Sequence, residues 1–347
     1  MSGTGTADEA DVTTTAADPA GSGPASTGSR TPAPRRALLR GLPWLVWHRH
    51  RAFLRTGLLL TVAGCALFAY ERIGLMDFLH AKGTDPGNEQ LGNDFQNTFG
   101  PMFSRDVSVL NYLPALIGIF LGAPLIAGEQ EHGTIKLVTT QSVSRSRWIA
   151  ATLGLPLALA ALCTALLSAA FTWLWSPAHD LAMGGDWLTG GAFEATGPMP
   201  VAKTLFLTSC GIAIGMLIKR VVPAMAATAV LAAVVGMIWS EKVRTRLGTM
   251  RSTSYPYDGD GPRLPRGSVR IDDWVSTADG RLYGFGTCVN DRAPDACRAK
   301  LGIVNRVTQY FDYGQLPGMQ WLGAGILLAL TVVVLVFVVW RAQRRPL

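Results

Sequence analysis

The sequence predicts an all-α polytopic membrane protein with six transmembrane helices, a cytoplasmic interfacial helix and a small extracellular domain before the last helix. Of the 347 residues, 49% are hydrophobic, and they occur in long blocks instead of the short pieces that build a soluble core. About 20 apolar residues form a helix that crosses the roughly 30 Å hydrocarbon core of a bilayer, at about 1.5 Å per residue. Six blocks without any Asp or Glu meet or approach that length: Gly57–Tyr70, Val109–Ala127, Ile149–Trp175, Val201–Ile218, Val221–Trp239 and Met319–Trp340.

The N-terminal residues 1–34 consist mainly of Ser, Thr, Gly, Ala, Pro and Asp. Such a composition offers almost nothing to bury, so we expect a disordered cytoplasmic tail. The basic start and apolar run of a cleaved signal peptide are missing from this stretch. We therefore expect the first membrane helix to act as its own targeting signal.

Residues 35–55 combine leucines at helical spacing with two tryptophans and a dense set of basic residues. This pattern predicts an amphipathic helix in the headgroup region, with its apolar side in the acyl chains and its basic side toward anionic lipid. A basic juxtamembrane anchor is the alternative. Both interpretations place this end of the chain in the cytoplasm.

The distribution of Lys and Arg predicts how the chain crosses the membrane. The net charge is +7, and basic residues are concentrated in segments that are all cytoplasmic if both termini are inside, as the positive-inside rule favours. Residues 56–240 then hold the first five membrane helices, and residues 319–347 hold the sixth with a basic cytoplasmic tail. A tight turn at Lys219-Arg220, with Pro223 in the first turn of the next helix, keeps these charges out of the bilayer centre. A re-entrant helix pair is the alternative.

Residues 241–318 are long enough for a small extracellular domain. Turn-forming sequence separates short apolar pieces there, which predicts a few β-strands among irregular segments. Cys288 and Cys297 lie close together on the side that would be oxidising, so we predict a disulfide between them. An unpaired couple in a flexible loop is the alternative.

The chain lacks the sequence signatures of common catalytic sites. It contains no G-x-x-x-x-G-K-[ST] phosphate loop, no H-E-x-x-H, no C-x-x-C pair and no G-x-S-x-G elbow. We therefore expect no enzyme activity, no bound cofactor or metal and no nucleic-acid partner. We also expect the spans to hold no charge, which favours an apolar or amphiphilic substrate. A drug, a peptide and a lipid-linked molecule all stay open.

Two pairs of glycines lie one helical turn apart in the apolar blocks. These pairs are Gly118-x-x-x-Gly122 and Gly211-x-x-x-Gly215. Small residues at this spacing let two membrane helices approach closely. We favour packing within the chain over a seam between two copies.

The polar stretch 128–148, GEQEHGTIKLVTTQSVSRSRW, separates the second and third apolar blocks. Its Glu129 and His132 have the Glu-x-x-His spacing of di-iron bundles, but a metal site needs matching ligands that the sequence lacks. A plain connector explains the charge alone. Gly133 and Thr134 instead indicate a break followed by a helix cap, and the apolar residues after them indicate a short amphipathic helix that needs headgroups or a partner protein to cover it.

This stretch resembles the first cytoplasmic loop of six-helix ABC exporter permeases. In that loop an acidic residue precedes a Gly-Thr pair, and a Pro-Val-Ser-Arg sequence leads into the next membrane helix. Here Glu129 is the acid, Gly133-Thr134 is the pair and Val143-Ser144-Arg145 is the ending, with Ser142 in place of the usual proline. The resemblance extends to the basic interfacial helix, the six crossings and the large loop before the last helix.

The resemblance implies that the loop is a coupling helix that docks on a separate P-loop ATPase subunit, which would bind the ATP. It implies the permease subunit of an exporter in the plasma membrane, working as a homodimer or paired permease with two ATPase subunits. Two other classes stay open from the residues alone: a membrane-anchored sensory or binding protein that uses residues 241–318, and a membrane enzyme. The implied docking residues are Glu129, Glu131, Gly133, Thr134, Ile135 and Leu137, with Arg145 and Arg147 toward the headgroups.

Overall fold

The computed structural model describes residues 42–83, 87–131 and 145–344, with side chains for all of these except 42–54 and 145–151. The predicted tail 1–34 lies outside these ranges, as does most of the 128–148 loop. Six helices in the described ranges are long and apolar enough to cross a membrane, as the sequence predicts. The helices are α1 (Leu42–Lys82), α2 (Glu89–Ile117), α3 (Ala123–Glu131), α4 (Arg145–Trp175), α5 (Ala192–Ala195), α6 (Met199–Ile218), α7 (Val221–Ile238), α8 (Pro294–Leu301) and α9 (Leu316–Arg344).

Helix α1 continues across the predicted boundary between the interfacial helix and the first span, and the interfacial position of residues 35–55 stays a prediction. It runs without a break from Leu42 to Lys82, so no separate helix ends at Arg55. Its one proline, Pro43, lies in the first turn, where the missing N–H costs nothing. Forty-one residues rise about 60 Å, twice the thickness of the hydrocarbon core, so α1 extends well beyond the bilayer.

Helices α2 and α3 form one continuous rod that a π-helical turn at Gly118–Gly122 joins. Both predicted glycine pairs lie where this rod crosses α6. A Cβ added to Gly211 would lie 2.5 Å from the carbonyl oxygen of Gly118, and one added to Gly215 would lie 2.3 Å from that of Ala123. The two backbones therefore touch directly, within one chain, and no larger side chain fits between them.

Helices α6 and α7 meet at the predicted turn. Lys219 ends α6 in the left-handed conformation, with φ +62°, and its N–H donates to the carbonyl of Gly215. Arg220 is extended, and α7 begins at Val221. The two helices thus run antiparallel, with both basic residues in the turn between them.

The segment after α7 contains a four-stranded antiparallel sheet, so the all-α class is wrong for this part of the chain, although strands were expected there. The strand order is β1-β4-β2-β3. Alternating apolar and polar residues in the two central strands place one face inward, with Val307 and Phe311 buried. The strands are β1 (Arg251–Pro256), β2 (Val269–Thr277), β3 (Leu282–Gly284) and β4 (Ile303–Phe311).

The loop after β3 is joined to α8 by a disulfide between Cys288 and Cys297, whose Cα atoms are 5.7 Å apart. The other cysteines, Cys65, Cys163 and Cys210, are free thiols in the membrane helices.

We expect thiol labelling of the denatured, unreduced protein to modify three cysteines, and labelling after reduction to modify five. Mass spectrometry of the maleimide adducts measures this difference. The Cys288→Ser/Cys297→Ser variant is the control, because it should show three adducts in both conditions. Five adducts without reduction would contradict the pairing.

The largest buried cluster lies at the end of the bundle next to the sheet. Trp187 and Phe193, in the segment between α4 and α6, are fully buried there. The indole of Trp187 donates to the carbonyl of Gly267 at 2.8 Å. The segment between α4 and α6 is therefore a packed layer that joins the membrane helices to the sheet.

Candidate functional site

The predicted docking residues fall into three groups. The structure describes the backbone but not the side chains of Arg145 and Arg147, in the first turn of α4. It describes both acids fully: Glu129 is only 7% exposed, whereas Glu131 lies at the exposed end of α3. Four residues lie outside the described ranges, and their docking role stays a prediction: Gly133, Thr134, Ile135 and Leu137.

The carboxylate of Glu131 caps the beginning of α7. Its Oε2 accepts a hydrogen bond of 2.9 Å from the backbone N–H of Val221, at the end where a helix has unsatisfied N–H groups and a positive dipole. This contact ties the end of α3 to the turn between α6 and α7. Both acids therefore have contacts inside the chain that the sequence did not reveal.

A groove of about 730 Å³ lies between α1, α2 and α4. It forms because α1 packs along α4, while α2 and α4 barely touch each other. A Cβ added to Gly64 of α1 would lie 2.7 Å from the side chain of Leu167 of α4. Helices α1 and α4 are therefore closely packed against each other at this point. The walls are almost entirely apolar, and they include Leu60, Phe68, Leu113, Leu116, Phe120, Leu159, Ala160 and Leu167.

Arg105 and Asp106 line one end of this groove, and Glu71 of α1 contacts Arg105 beside it. We call these three residues the acid end. Arg105 donates to Oδ1 of Asp106 through Nε at 3.0 Å and Nη2 at 2.8 Å, and Nη2 also donates to Oε1 of Glu71. The side chain of Arg105 is 53% exposed, whereas those of Glu71 and Asp106 are 9% and 3% exposed. The acid end thus holds two buried carboxyl groups beside one half-exposed guanidinium.

The acid end lies on the same helices as two of the apolar blocks, just beyond them. Its residues lie just outside the predicted blocks Gly57–Tyr70 and Val109–Ala127, but within the continuous helical segments Arg55–Lys82 and Glu89–Glu131. The helices continue past the apolar blocks, because nothing in the local sequence ends them there. The helical turns that carry Glu71, Arg105 and Asp106 therefore lie directly next to the apolar residues of the groove.

Lys203 contradicts the expectation that the spans hold no charged residue, because it lies inside the block Val201–Ile218. It lines a second cavity, of about 400 Å³, between α2, α6, α7 and α9. Glu194 and Arg244 form an ion pair of 3.3 Å, and Lys203 interacts with both. A single lysine in an apolar stretch was the available signal for this cluster.

Metal chemistry has no support from the described part of the chain. No group of three or more His, Cys, Asp or Glu side chains occurs there in an arrangement that could hold a metal ion. The acid end has two carboxylates only, and Arg105 already occupies one oxygen of each.

Six helices long and apolar enough to cross a membrane indicate a polytopic membrane protein. The chain belongs to the ABC-2 membrane transporter related family, whose model matches residues 58–244. This match spans α1 to α7 and confirms the resemblance to ABC transporter permeases. The sheet and α9 lie outside the match. Searches of curated proteins and of solved structures returned no match.

Proposed function

We propose that the chain is the permease subunit of an ATP-driven exporter in the plasma membrane, and that a separate P-loop ATPase subunit supplies the energy. The family match over residues 58–244 carries this proposal. The sequence adds that the chain has no phosphate loop of its own. ATP would therefore bind to the partner subunit, and this chain would convert closure of the ATPases into helix movement.

The contacts around the 128–148 loop support a route for that movement. The loop connects α3 to α4, and α2 and α4 are the two walls that diverge to form the groove. The backbone contacts at Gly211 and Gly215 join the α2–α3 rod to α6. A force on the loop would therefore move the rod together with α6, relative to α4, and would change the width of the groove.

The proposed orientation has both termini in the cytoplasm. The Cys288–Cys297 disulfide supports an extracytoplasmic position for residues 241–318, because disulfides persist in oxidising compartments. The same orientation places the turn between α6 and α7 and the 128–148 loop inside, on the side of the ATPase. Helix α7 presents exposed apolar residues such as Val222 and Val230, which suit lipid or the second permease of a homodimer or paired permease.

The docking proposal is tested by Ile135→Asp combined with Leu137→Asp. We expect the amount of co-purifying ATPase to fall at least about tenfold, because each lost apolar contact costs about 1.5–3 kcal/mol. Co-purification after mild detergent extraction and ATP hydrolysis by the complex measure the effect.

The matched control places two aspartates on exposed apolar residues of the sheet segment, Met250→Asp with Leu282→Asp. This control should leave the ATPase bound. Unchanged co-purification in the loop variant, with both proteins monodisperse, would refute docking through this loop.

A further inference from the structure

We propose that the groove between α1, α2 and α4 binds a cationic amphiphile, with the positively charged head at the acid end and the apolar tail along the groove. The inference rests on the proposed function, since such a molecule would be the substrate class of the exporter. Three features carry it: the two carboxyl oxygens without a donor at the acid end, the shape of the groove and its opening toward the bilayer.

At the acid end, two buried carboxyl oxygens meet no donor among the described residues. Arg105 satisfies one oxygen of each carboxylate, whereas Oε2 of Glu71 and Oδ2 of Asp106 are buried and meet no donor among the described residues. The two carboxylates also interact directly with each other. A buried carboxylate oxygen without a donor is strongly unfavourable, so the site favours a ligand that brings a cation.

The groove matches an apolar tail in size and chemistry. Along α1 it reaches from Thr56 to Phe68, a distance of about 18 Å at 1.5 Å per residue. Its volume of about 730 Å³ lies within the range of about 300–1,000 Å³ that ligand pockets occupy. A proton shared between the carboxylates would satisfy the free oxygens, but it would leave this apolar space without an occupant.

The groove opens sideways between α1 and α2. Leu60 and Val109, which line it, are 67% and 57% exposed, so a molecule can enter from the bilayer without crossing a polar surface. Glu71 follows directly after the apolar block that ends at Tyr70, which places the acid end at the edge of the apolar zone. A charged head prefers that depth, because it stays near water while its tail is in hydrocarbon.

The test is equilibrium binding of radiolabelled tetradecyltrimethylammonium to the purified full-length permease in dodecyl maltoside. Tetradecanol supplies the tail without the charge, and tetramethylammonium supplies the charge without the tail. Lysophosphatidylethanolamine, as a competitor, distinguishes a lipid ammonium headgroup from a non-lipid cation. We expect saturable binding of the complete amphiphile, and at least about tenfold weaker binding of either half.

Two kinds of variant test the two halves of the site. Asp106→Asn and Glu71→Gln each remove one charge and should weaken binding of the amphiphile at least about tenfold, without weakening that of tetradecanol. Leu113→Trp fills the groove and should weaken both. The controls are Asp94→Asn, an exposed ion-paired carboxylate on the same helix as Asp106, and Val230→Trp, an exposed apolar residue on α7.

The proposal would be overturned if folded Asp106→Asn and Glu71→Gln bound tetradecyltrimethylammonium with an affinity within twofold of the native value. A proton shared between the two carboxyl groups would then account for their free oxygens. A change of oligomeric state in Leu113→Trp, with unchanged binding, would assign the groove to a second copy and would also overturn it. If either acid variant does not fold, the other one and Leu113→Trp still decide. Binding is measured on the permease alone, so its failure is independent of whether an ATPase co-purifies.

Discussion

Replacing Gly211 and Gly215 by alanine is expected to destabilise the folded protein by about 3 kcal/mol or more. The added Cβ atoms would lie 2.5 Å and 2.3 Å from backbone carbonyl oxygens of the α2–α3 rod. Backbone atoms in the middle of two long helices cannot rotate away as a side chain does, so the helices must separate. Overpacking of this kind costs about 1–3 kcal/mol per site and more where relief is blocked.

Unfolding in sodium dodecyl sulfate, followed by circular dichroism, measures this loss. Gly325→Ala in α9 is the matched control, because a Cβ there meets no atom within 4 Å and alanine favours a helix over glycine by about 1 kcal/mol. The control should be neutral or slightly stabilising. Equal stability of the double variant and the native protein would show that the rod and α6 are not in direct backbone contact.

Glu194→Gln is expected to destabilise the protein by about 3–5 kcal/mol. The side chains of Glu194 and Arg244 are only 7% and 12% exposed, and Lys203 lies close enough to interact with both. Removing this carboxylate leaves the guanidinium of Arg244 without its counter-charge in a poorly hydrated position. Breaking a buried pair costs about that amount, because the remaining charge keeps its desolvation penalty.

The double variant Glu194→Gln/Arg244→Gln separates this cause from a local packing defect. It removes the stranded guanidinium as well, so it should recover at least about half of the lost free energy. Asp295→Asn is the control for an exposed ion pair, since that carboxylate is 90% exposed, and it should change the stability by less than about 1 kcal/mol. A double variant less stable than Glu194→Gln would contradict the electrostatic explanation.

The residues of the acid end show why local sequence could not predict the groove. Glu71 and Arg105 are 34 positions apart and belong to different helices, each of which continues past its apolar block. Their meeting depends on which faces of α1 and α2 point at each other. That choice is made by packing over the whole bundle, not by any window of the sequence.

The 128–148 loop gives the complementary lesson. The sequence identified the loop and its family resemblance, and the family match confirms the class of protein. The sequence pattern could not show which groups its two acids contact. Glu131 accepts a hydrogen bond from the N-terminus of α7, which is 90 positions away in the sequence. An acid at a predicted docking surface therefore has a contact inside the chain, which the pattern of the loop alone does not reveal.

The sequence by itself determined the number of spans, the turn at Lys219-Arg220 and the presence of strands after the fifth helix. These features depend on local hydrophobicity, charge and turn chemistry, which act over one helix or one turn. Only the tertiary structure decided that α1 is a single long helix, that the glycine pairs face each other, and that a groove with an acid end separates α2 from α4. Those features depend on contacts between distant segments, where close packing and the pairing of buried charges select one arrangement of helices from many with the same local pattern.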